Sequence, residues 1–298
     1  MQQYWQTARF RIDLNRPRVM GIVNVTPDSF SDGGQHGTSG EAIAHCRRLV
    51  EEGADILDIG GESSRPGAQA LSIDEEWSRI APVLKVAVEL GVPISVDSFK
   101  PEVMRRALDA GADILNDIHA MEREGALAAL QSHPLAGVCL MHMRGDSATM
   151  QSLTQYHDVV AELAAYLAAR ASSLRDAGIA ADRIALDPGY GFAKNSEQNL
   201  TLLSRQAELL KLGYPLLIGL SRKRTIGDLT GRPVDQRLAG SLAAALAAIA
   251  QGARIIRVHD VAPTVDAIKV WLAAGGATGP VMGLADNGAH KHSGGSSR

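Results

Sequence analysis

The run Val-Met-Gly-Ile-Val-Asn-Val-Thr-Pro-Asp-Ser-Phe-Ser-Asp-Gly-Gly (residues 19–34) starts as a short, β-branched apolar segment and breaks at Pro27 into Ser, Asp and Gly. An apolar segment without polar alternation suits a strand buried on both faces. Ser, Asp and Gly favour turns, so a loop follows. Asn24 is the exception, an amide near the strand end that is costly to bury unless something hydrogen-bonds it. The same pattern, an apolar strand closed by a polar residue, recurs along the chain.

Before this run, Tyr4–Leu14 alternates weakly, with Phe10, Ile12 and Leu14 opposite Arg9, Arg11 and Asp13, as in a small hairpin closing one end of a domain. After it, Ala42, Cys46, Leu49 and Val50 fall at helical spacing and stop before Gly53, a residue suited to a helix end. Further helices are predicted over Trp77–Leu90, Pro101–Ala110, Gly125–Gln131, Tyr156–Ala177, Ser196–Lys211, Val234–Gln251 and Ala262–Ala274. Strands are predicted over Val19–Val25, Asp55–Gly60, Pro93–Val96, Asp113–Leu115, Gly137–Met141, Arg183–Leu186, Leu216–Gly219 and Ile255–Val258. Gly-Ala-Asp-Ile-Leu occurs at both 53–57 and 111–115, with Gly-Ala-Arg-Ile-Ile at 252–256. Eight alternating units imply a parallel sheet and, by their number, an α/β fold closed as a single (β/α)8 TIM barrel over residues 1–274. A doubly wound open sheet is the alternative. From Gly275 the composition turns to Gly, Ser, His and Asn without periodicity, so a flexible tail is expected over 275–298. His290 and His292 read there as solvated rather than as metal ligands.

Bulk properties narrow the class. The 298 residues suffice for one large domain, and 45% hydrophobic content is ordinary for a globular protein. A net charge of -3 with interspersed signs lacks the basic stripe of a nucleic-acid binder. The longest apolar stretch, Leu242–Ala250, falls far short of the roughly 20 residues that span a bilayer. The start, Met-Gln-Gln-Tyr-Trp-Gln, has neither the cationic nor the apolar segment of a secretory signal. Cys46 and Cys139 read as core residues in a reducing compartment. A cytoplasmic protein with no membrane and no nucleic-acid partner is expected.

In such barrels the active site lies where strands end. Those positions carry Asn24, Asp58, Asp97, Asn116, Met141, Asp187, Ser221 with Lys223, and Arg257 with His259. A lone Asp after a strand usually caps the next helix, and Asp58 would equally serve a neighbouring loop. Caps, however, would not need acids, amides and bases together. Asp97, Asn116 and Asp187 suit a flat heterocycle offering an amine and a ring N–H. Lys223, Arg257 and His259, with Arg65, suit phosphate oxygens or a ring carbonyl. A nitrogen-rich ring joined to a phosphorylated group would satisfy both sets. The loops Thr26–Gly34 and Glu62–Gly67 suit a lid that excludes water. A serine nucleophile elbow, a phosphate-binding P-loop, a dinucleotide fingerprint and zinc spacing are all absent. A hard cation such as Mg²⁺ would suit Asn24 if substrate phosphates and water completed its shell.

At these residues the sequence resembles the dihydropteroate synthases over Met20–Trp271. The matching stretches are residues 21–34, Asp-Ile-Gly-Gly-Glu-Ser-Ser-Arg-Pro-Gly (58–67), Ser-Val-Asp-Ser (95–98), Asn-Asp-Ile (116–118), Leu-Asp-Pro-Gly-x-Gly-Phe (186–192), Ser-Arg-Lys (221–223) and Arg-x-His (257–259). Tyr190, Ala193 and Ser64 depart from the commoner family residues without removing a polar group. The resemblance implies condensation of (7,8-dihydropterin-6-yl)methyl diphosphate with 4-aminobenzoate by an SN1-like path, with Mg²⁺ as cofactor. It implies Asp97, Asn116, Asp187 and Lys223 around the pterin, beside Met141. Asn24 through Mg²⁺, with Arg65, Arg257 and His259, would hold the diphosphate. Phe30, Ser64, Pro66, Phe192, Ser221 and Lys223 would shape the aminobenzoate pocket. Asp97, Lys223 and Arg65 carry the catalytic expectation. A homodimer is expected, the apolar faces of the last two helices offering a surface. The competing readings are a corrinoid-dependent pterin methyltransferase, which has no use for Arg65 or the Arg257–His259 pair, an aldolase-like barrel with Lys223 as Schiff-base amine, and a catalytically silent pterin-binding paralogue.

Overall fold

The computed structural model describes residues 4–26, 35–63 and 70–277, with the side chains of 35–38 left outside that description. Phe30, Ser64, Arg65, Pro66, most of both predicted lid loops and the tail from 278 onward therefore lie outside the described residues.

The N-terminal hairpin pairs β1 (Tyr4–Gln6) antiparallel with β2 (Arg11–Asp13). The barrel strands are β3 (Arg18–Asn24), β4 (Ile56–Gly60), β5 (Ile94–Asp97), β6 (Ile114–Asp117), β7 (Gly137–Met141), β8 (Ile184–Asp187), β9 (Leu217–Ile218) and β10 (Ile255–Val258). They form one eight-stranded sheet in the order β8-β7-β6-β5-β4-β3-β10-β9. A parallel bridge between Leu186 and Leu216 joins the two ends, so the sheet closes on itself. The predicted TIM barrel is the fold, and the open sheet is excluded.

Two shells of apolar side chains follow from strand alternation. Outward residues such as Val23, Ile59, Val96, Leu115, Leu140 and Ile256 pack under the surrounding helices. Inward residues Met20, Ile56, Ile114, Cys139, Ala185, Leu217 and Ile255 fill the barrel floor, where the hairpin adds Trp5, Ile12 and Leu14. Trp5 is fully buried, and its indole Nε1 donates to the Arg183 carbonyl at 2.9 Å. The hairpin is thus a plug at the strands' N-terminal end.

The helices are α1 (Gln35–Glu51), α2 (Ile73–Ala87), α3 (Pro101–Asp109), α4 (Ala126–Gln131), α5 (Val159–Asp176), α6 (Ser196–Ser204), α7 (Arg224–Thr230), α8 (Leu238–Ala250) and α9 (Val261–Ala273). The repeated Gly-Ala phrase marks one device: Gly53, Gly111 and Gly252 all adopt φ near +100°, at +96°, +100° and +95°. A side chain is strained there, so glycine turns each helix end back towards a strand.

The chain departs from expectation in two places. Helix Ser196–Lys211 is not continuous: α6 stops at Ser204 and a 3-10 stretch covers Gln206–Leu212. The cause is Gln206, fully buried, whose amide accepts from Tyr190 Oη at 3.0 Å and donates to the Ala248 carbonyl at 3.0 Å. The helix predicted from Val234 begins only at Leu238, and the segment before it hides an extra helix, α7.

Candidate active site

The strand register brings the polar strand ends to one mouth, opposite the hairpin plug. Asn24 pairs with Gly60 across β3 and β4, Gly60 with Asp97, Asp97 with Asn116, and Asn116 with Cys139. Met141 pairs with Asp187 across β7 and β8, and Arg257 of β10 lies beside Met20 of β3. Asp58, Asp97, Asn116, Met141, Asp187 and Arg257 form the layer directly above the apolar floor.

None of the acids or amides here caps a helix. Helices α3, α4 and α6 start after Lys100, Gly125 and Asn195, so Asp97, Asn116 and Asp187 are left for other work. Within the layer, Arg257 is the hub. Its Nε donates to Asp58 Oδ2 at 2.6 Å and its Nη2 to Asp97 Oδ2 at 2.8 Å. Asn116 Nδ2 donates to the same Asp58 oxygen at 3.2 Å. Asp58, fully buried, thus serves neither a cap nor a neighbouring loop; it ties β4 to β6 and β10 inside the barrel. Its Oδ1 has no partner among the described residues.

Acidic and cationic groups interleave in this network, because the buried Asp58 carboxylate needs a cation and takes Arg257. Burial opposes the charge on Arg257, yet Asp58 and Asp97 more than offset it and raise its pKa. Asp97 is pushed above the usual carboxylate range by burial, with Arg257 opposing and Asp58 and Glu76 adding to the rise. Asp187 is also raised by burial, opposed by the Gly189 N–H that donates to its Oδ1 at 2.7 Å and by Lys223.

The other rim comes from the loops after β9 and β10. Ser221 Oγ lies 3.1 Å from His259 Nδ1. Lys223 Nζ sits 4.2 Å from the centre of the Phe192 ring, a cation–π contact. Between them Arg222 adopts φ +58°, which turns Ser221 and Lys223 to the mouth. That conformation is held from several sides: Arg222 makes two hydrogen bonds to Asp260, at 3.0 and 2.5 Å, its N–H donates to Ser241 Oγ at 2.9 Å, and its carbonyl accepts from Arg237 Nη1 at 3.1 Å. Arg222 is thus neutralised by Asp260, and Arg224 lies 3.6 Å from Asp228. The two cations that flank Lys223 in sequence are thus each paired with an acid.

Beside the mouth, Asn24, His45, Arg48, Arg222, His259 and Asp260 line a cavity of about 470 Å³. Among the described residues no cluster of three or more His, Cys, Asp or Glu could hold a metal by itself. A single amide oxygen at Asn24 therefore fits only a hard cation that brings its other oxygens along, as Mg²⁺ does with phosphates and water.

Of the predicted residues, Asp97, Asn116, Met141, Asp187 and Arg257 meet in the barrel layer, while Asn24, Phe192, Ser221, Lys223 and His259 surround it at the rim. Phe30, Ser64, Arg65 and Pro66 fall outside the described residues. Sequence reasoning missed two groups. Lys100 Nζ bonds to Glu62 and, at 2.6 Å, to the buried Glu76, tying the segment that follows β4 to α2. Lys194 lies buried behind Phe192. The only signal in either case was a charge beside a motif, with nothing to indicate burial.

Comparison with known proteins gives the same picture. The family model described as "Pterin binding enzyme" matches residues 20–259. The dihydropteroate synthase of Neisseria meningitidis serogroup C is 52% identical over 275 residues, covering 91% of this chain and 97% of that protein. The Xanthomonas albilineans dihydropteroate synthase solved with 4-aminobenzoic acid superposes with a TM-score of 0.87 at 51% identity, covering 92% of this chain and 99% of that one. The same organism's enzyme in complex with 7,8-dihydropteroate gives a TM-score of 0.84 at 49% identity, covering 91% and 98%. With the family model spanning the barrel and half of all residues shared with these relatives, the chain belongs to the pterin-binding enzymes, in the dihydropteroate synthase family.

Proposed function

We propose that the chain condenses (7,8-dihydropterin-6-yl)methyl diphosphate with 4-aminobenzoate, giving 7,8-dihydropteroate and diphosphate in folate biosynthesis, as a transferase (EC 2.5.1.15). The observation that carries this reading is the single mouth at which Asp97, Asn116 and Asp187 lie with Arg257, next to Lys223 over Phe192. Carboxylates and an amide accept the amine and ring N–H groups of a pterin. Arg257 and His259 hold the diphosphate, with Arg65 assigned to the same group by resemblance.

In the reaction the C–O bond between the pterin methylene and the diphosphate breaks and a C–N bond to the arylamine forms, the amine giving up a proton. We assign an SN1-like order, in which positive charge builds on the pterin methylene before attack. The Asp97 carboxylate against the ring stabilises that charge, and Arg257 and His259 stabilise the leaving group. No strong base is needed, because the arylamine attacks a carbon that already carries positive charge. Mg²⁺, held by Asn24 and the diphosphate, would neutralise charge on the leaving group. Lys223 and Phe192, with Phe30, Ser64, Pro66 and Ser221, would shape the aminobenzoate pocket.

The same reading has a homodimer in the cytoplasm. Exposed Leu238 on α8 and Val270 and Leu272 on α9 support a self-association surface, which sedimentation analysis would test. No described helix is long and apolar enough to cross a membrane, and both cysteines are buried and unpaired.

The deciding assay is diphosphate release. It should require both substrates and Mg²⁺, and release without turnover of aminobenzoate would overturn the proposal. Positional isotope exchange in the substrate diphosphate without aminobenzoate tests the order of bond changes, and its complete absence would count against a free cation.

A further inference from the structure

Lys194 is an unusual residue to find where it is. It is 3% exposed, and among the described residues no carboxylate forms a salt bridge with it. Taking an ammonium from water into such a place is costly unless its donors are satisfied. Here all three are. Its Nζ donates to the carbonyls of Gly189 and Phe192, both at 2.9 Å, and to His142 Nδ1 at 3.2 Å. His142 is buried and held neutral, its pKa lowered to about 2 by burial and then by Lys194 and Arg144, so its ring nitrogen can accept.

The segment that Lys194 ties down needs holding. Between Asp187 and Lys194, Gly189, Gly191 and Ala193 all have positive φ, at +69°, +79° and +50°. Gly189 sits so tightly that a Cβ would lie 2.0 Å from the His142 carbonyl oxygen. Its N–H donates to Asp187 Oδ1 at 2.7 Å, which aims that carboxylate. At the far end, Phe192 stacks under Lys223, and a Cβ on Gly191 would meet Lys223 Cδ at 3.2 Å. One buried ammonium therefore fixes the backbone behind both the acid and the aromatic face of the mouth.

We propose that Lys194 is a positioning residue, which sets Asp187 for the pterin and Phe192 with Lys223 for the arylamine by clamping the carbonyls of Gly189 and Phe192. It touches neither substrate. Burial lowers its pKa to about 7, with Asp187 opposing and Lys223 and Arg144 adding to the fall. This inference rests on the pterin-synthase reading above, and the test separates the two.

Three ligands are titrated into wild type, Lys194→Met and Lys194→Gln: a pterin lacking phosphates, inorganic diphosphate and, by steady-state kinetics, 4-aminobenzoate. Lys194→Met should bind the pterin about tenfold more weakly and raise the aminobenzoate KM by a similar factor, the scale of a lost hydrogen-bonded contact. Its affinity for inorganic diphosphate, held by Arg257 and His259 across the mouth, should stay within about twofold, and Lys194→Gln, with two N–H donors, should fall between. If the Met chain does not fold, the Gln chain is read by the same criteria. Parallel loss of all three ligands, or pterin affinity and aminobenzoate KM both unchanged in a folded variant, would overturn the proposal. Wild type that fails to bind the pterin would instead overturn the functional reading.

Discussion

Arg257→Met is the sharpest perturbation the barrel layer offers, because it acts on folding and on ligand binding through different contacts. In the native chain Arg257 neutralises Asp58, fully buried, and Asp97, whose side chain is 18% exposed. Methionine fills much of the same volume with no charge, leaving Asp58 with only the Asn116 amide among the described residues. Removing one partner of a buried ion pair costs about 3–5 kcal/mol. The more accessible Asp97 side is screened and adds less, so a loss near the lower figure, ~3 kcal/mol, is expected in urea unfolding. Independently, losing a charged hydrogen bond to the diphosphate should cost ~1.5–3 kcal/mol, roughly 10- to 150-fold in affinity for inorganic diphosphate. The double variant Asp58→Asn, Arg257→Met separates the two effects. It removes the uncompensated charge, so it should recover stability relative to Arg257→Met while diphosphate affinity stays low. A double variant less stable than Arg257→Met would refute the assignment of Asp58 as the structural partner. Undiminished diphosphate binding in the single variant would refute the role of Arg257 in the site.

Asp97→Asn swaps an acceptor for a donor and should weaken binding of a pterin lacking phosphates strongly, as read by calorimetry. In wild type the Asp97 carboxyl titrates above the usual carboxylate range. The native state binds its proton more readily than the unfolded chain, so this group's contribution makes stability fall as pH rises from the unfolded value towards neutrality. Pterin affinity, which needs the ionised form, should rise over the same interval; a midpoint at or below the model-peptide value of about 3.9 would contradict the placement. Trp5→Ala should cost about 3–5 kcal/mol by emptying the barrel floor, measured by chemical denaturation, with pterin affinity of the folded fraction unchanged. Chelation of Mg²⁺ should abolish turnover of the diphosphate substrate while a pterin lacking phosphates still binds, and equal activity with and without chelator would remove Asn24 from the metal assignment.

The parts of the molecule legible in the sequence were those with a local cause. Val19–Val25 reads as a strand because its apolar run has no polar face, and Gly53, Gly111 and Gly252 punctuate because no other residue accepts their φ. The strand ends Asp97, Asn116 and Asp187 stood out as a set because their chemistry exceeded what capping requires. What escaped depended on distant partners. Helix α7 is short, has only Thr225, Ile226 and Gly227 buried, and so shows no apolar stripe. The break after Ser204 depends on Gln206 reaching Tyr190 and Ala248, and the hub at Arg257 depends on Asp58, 199 positions away in the chain. Lys194 carries no local sign of burial, which only the fold imposes.

The hairpin plug has a kinetic consequence. With Trp5, Ile12 and Leu14 sealing the lower end, the barrel is a one-ended vessel, and everything that enters must leave by the same opening. If, as proposed, the groups of the layer next to the sealed floor take the pterin and Lys223 with Phe192 at the rim take the arylamine, the heterocycle boards first and the arylamine after it. Steady-state patterns should accordingly show an ordered queue, with aminobenzoate mimics trapping rather than displacing the deeper occupant.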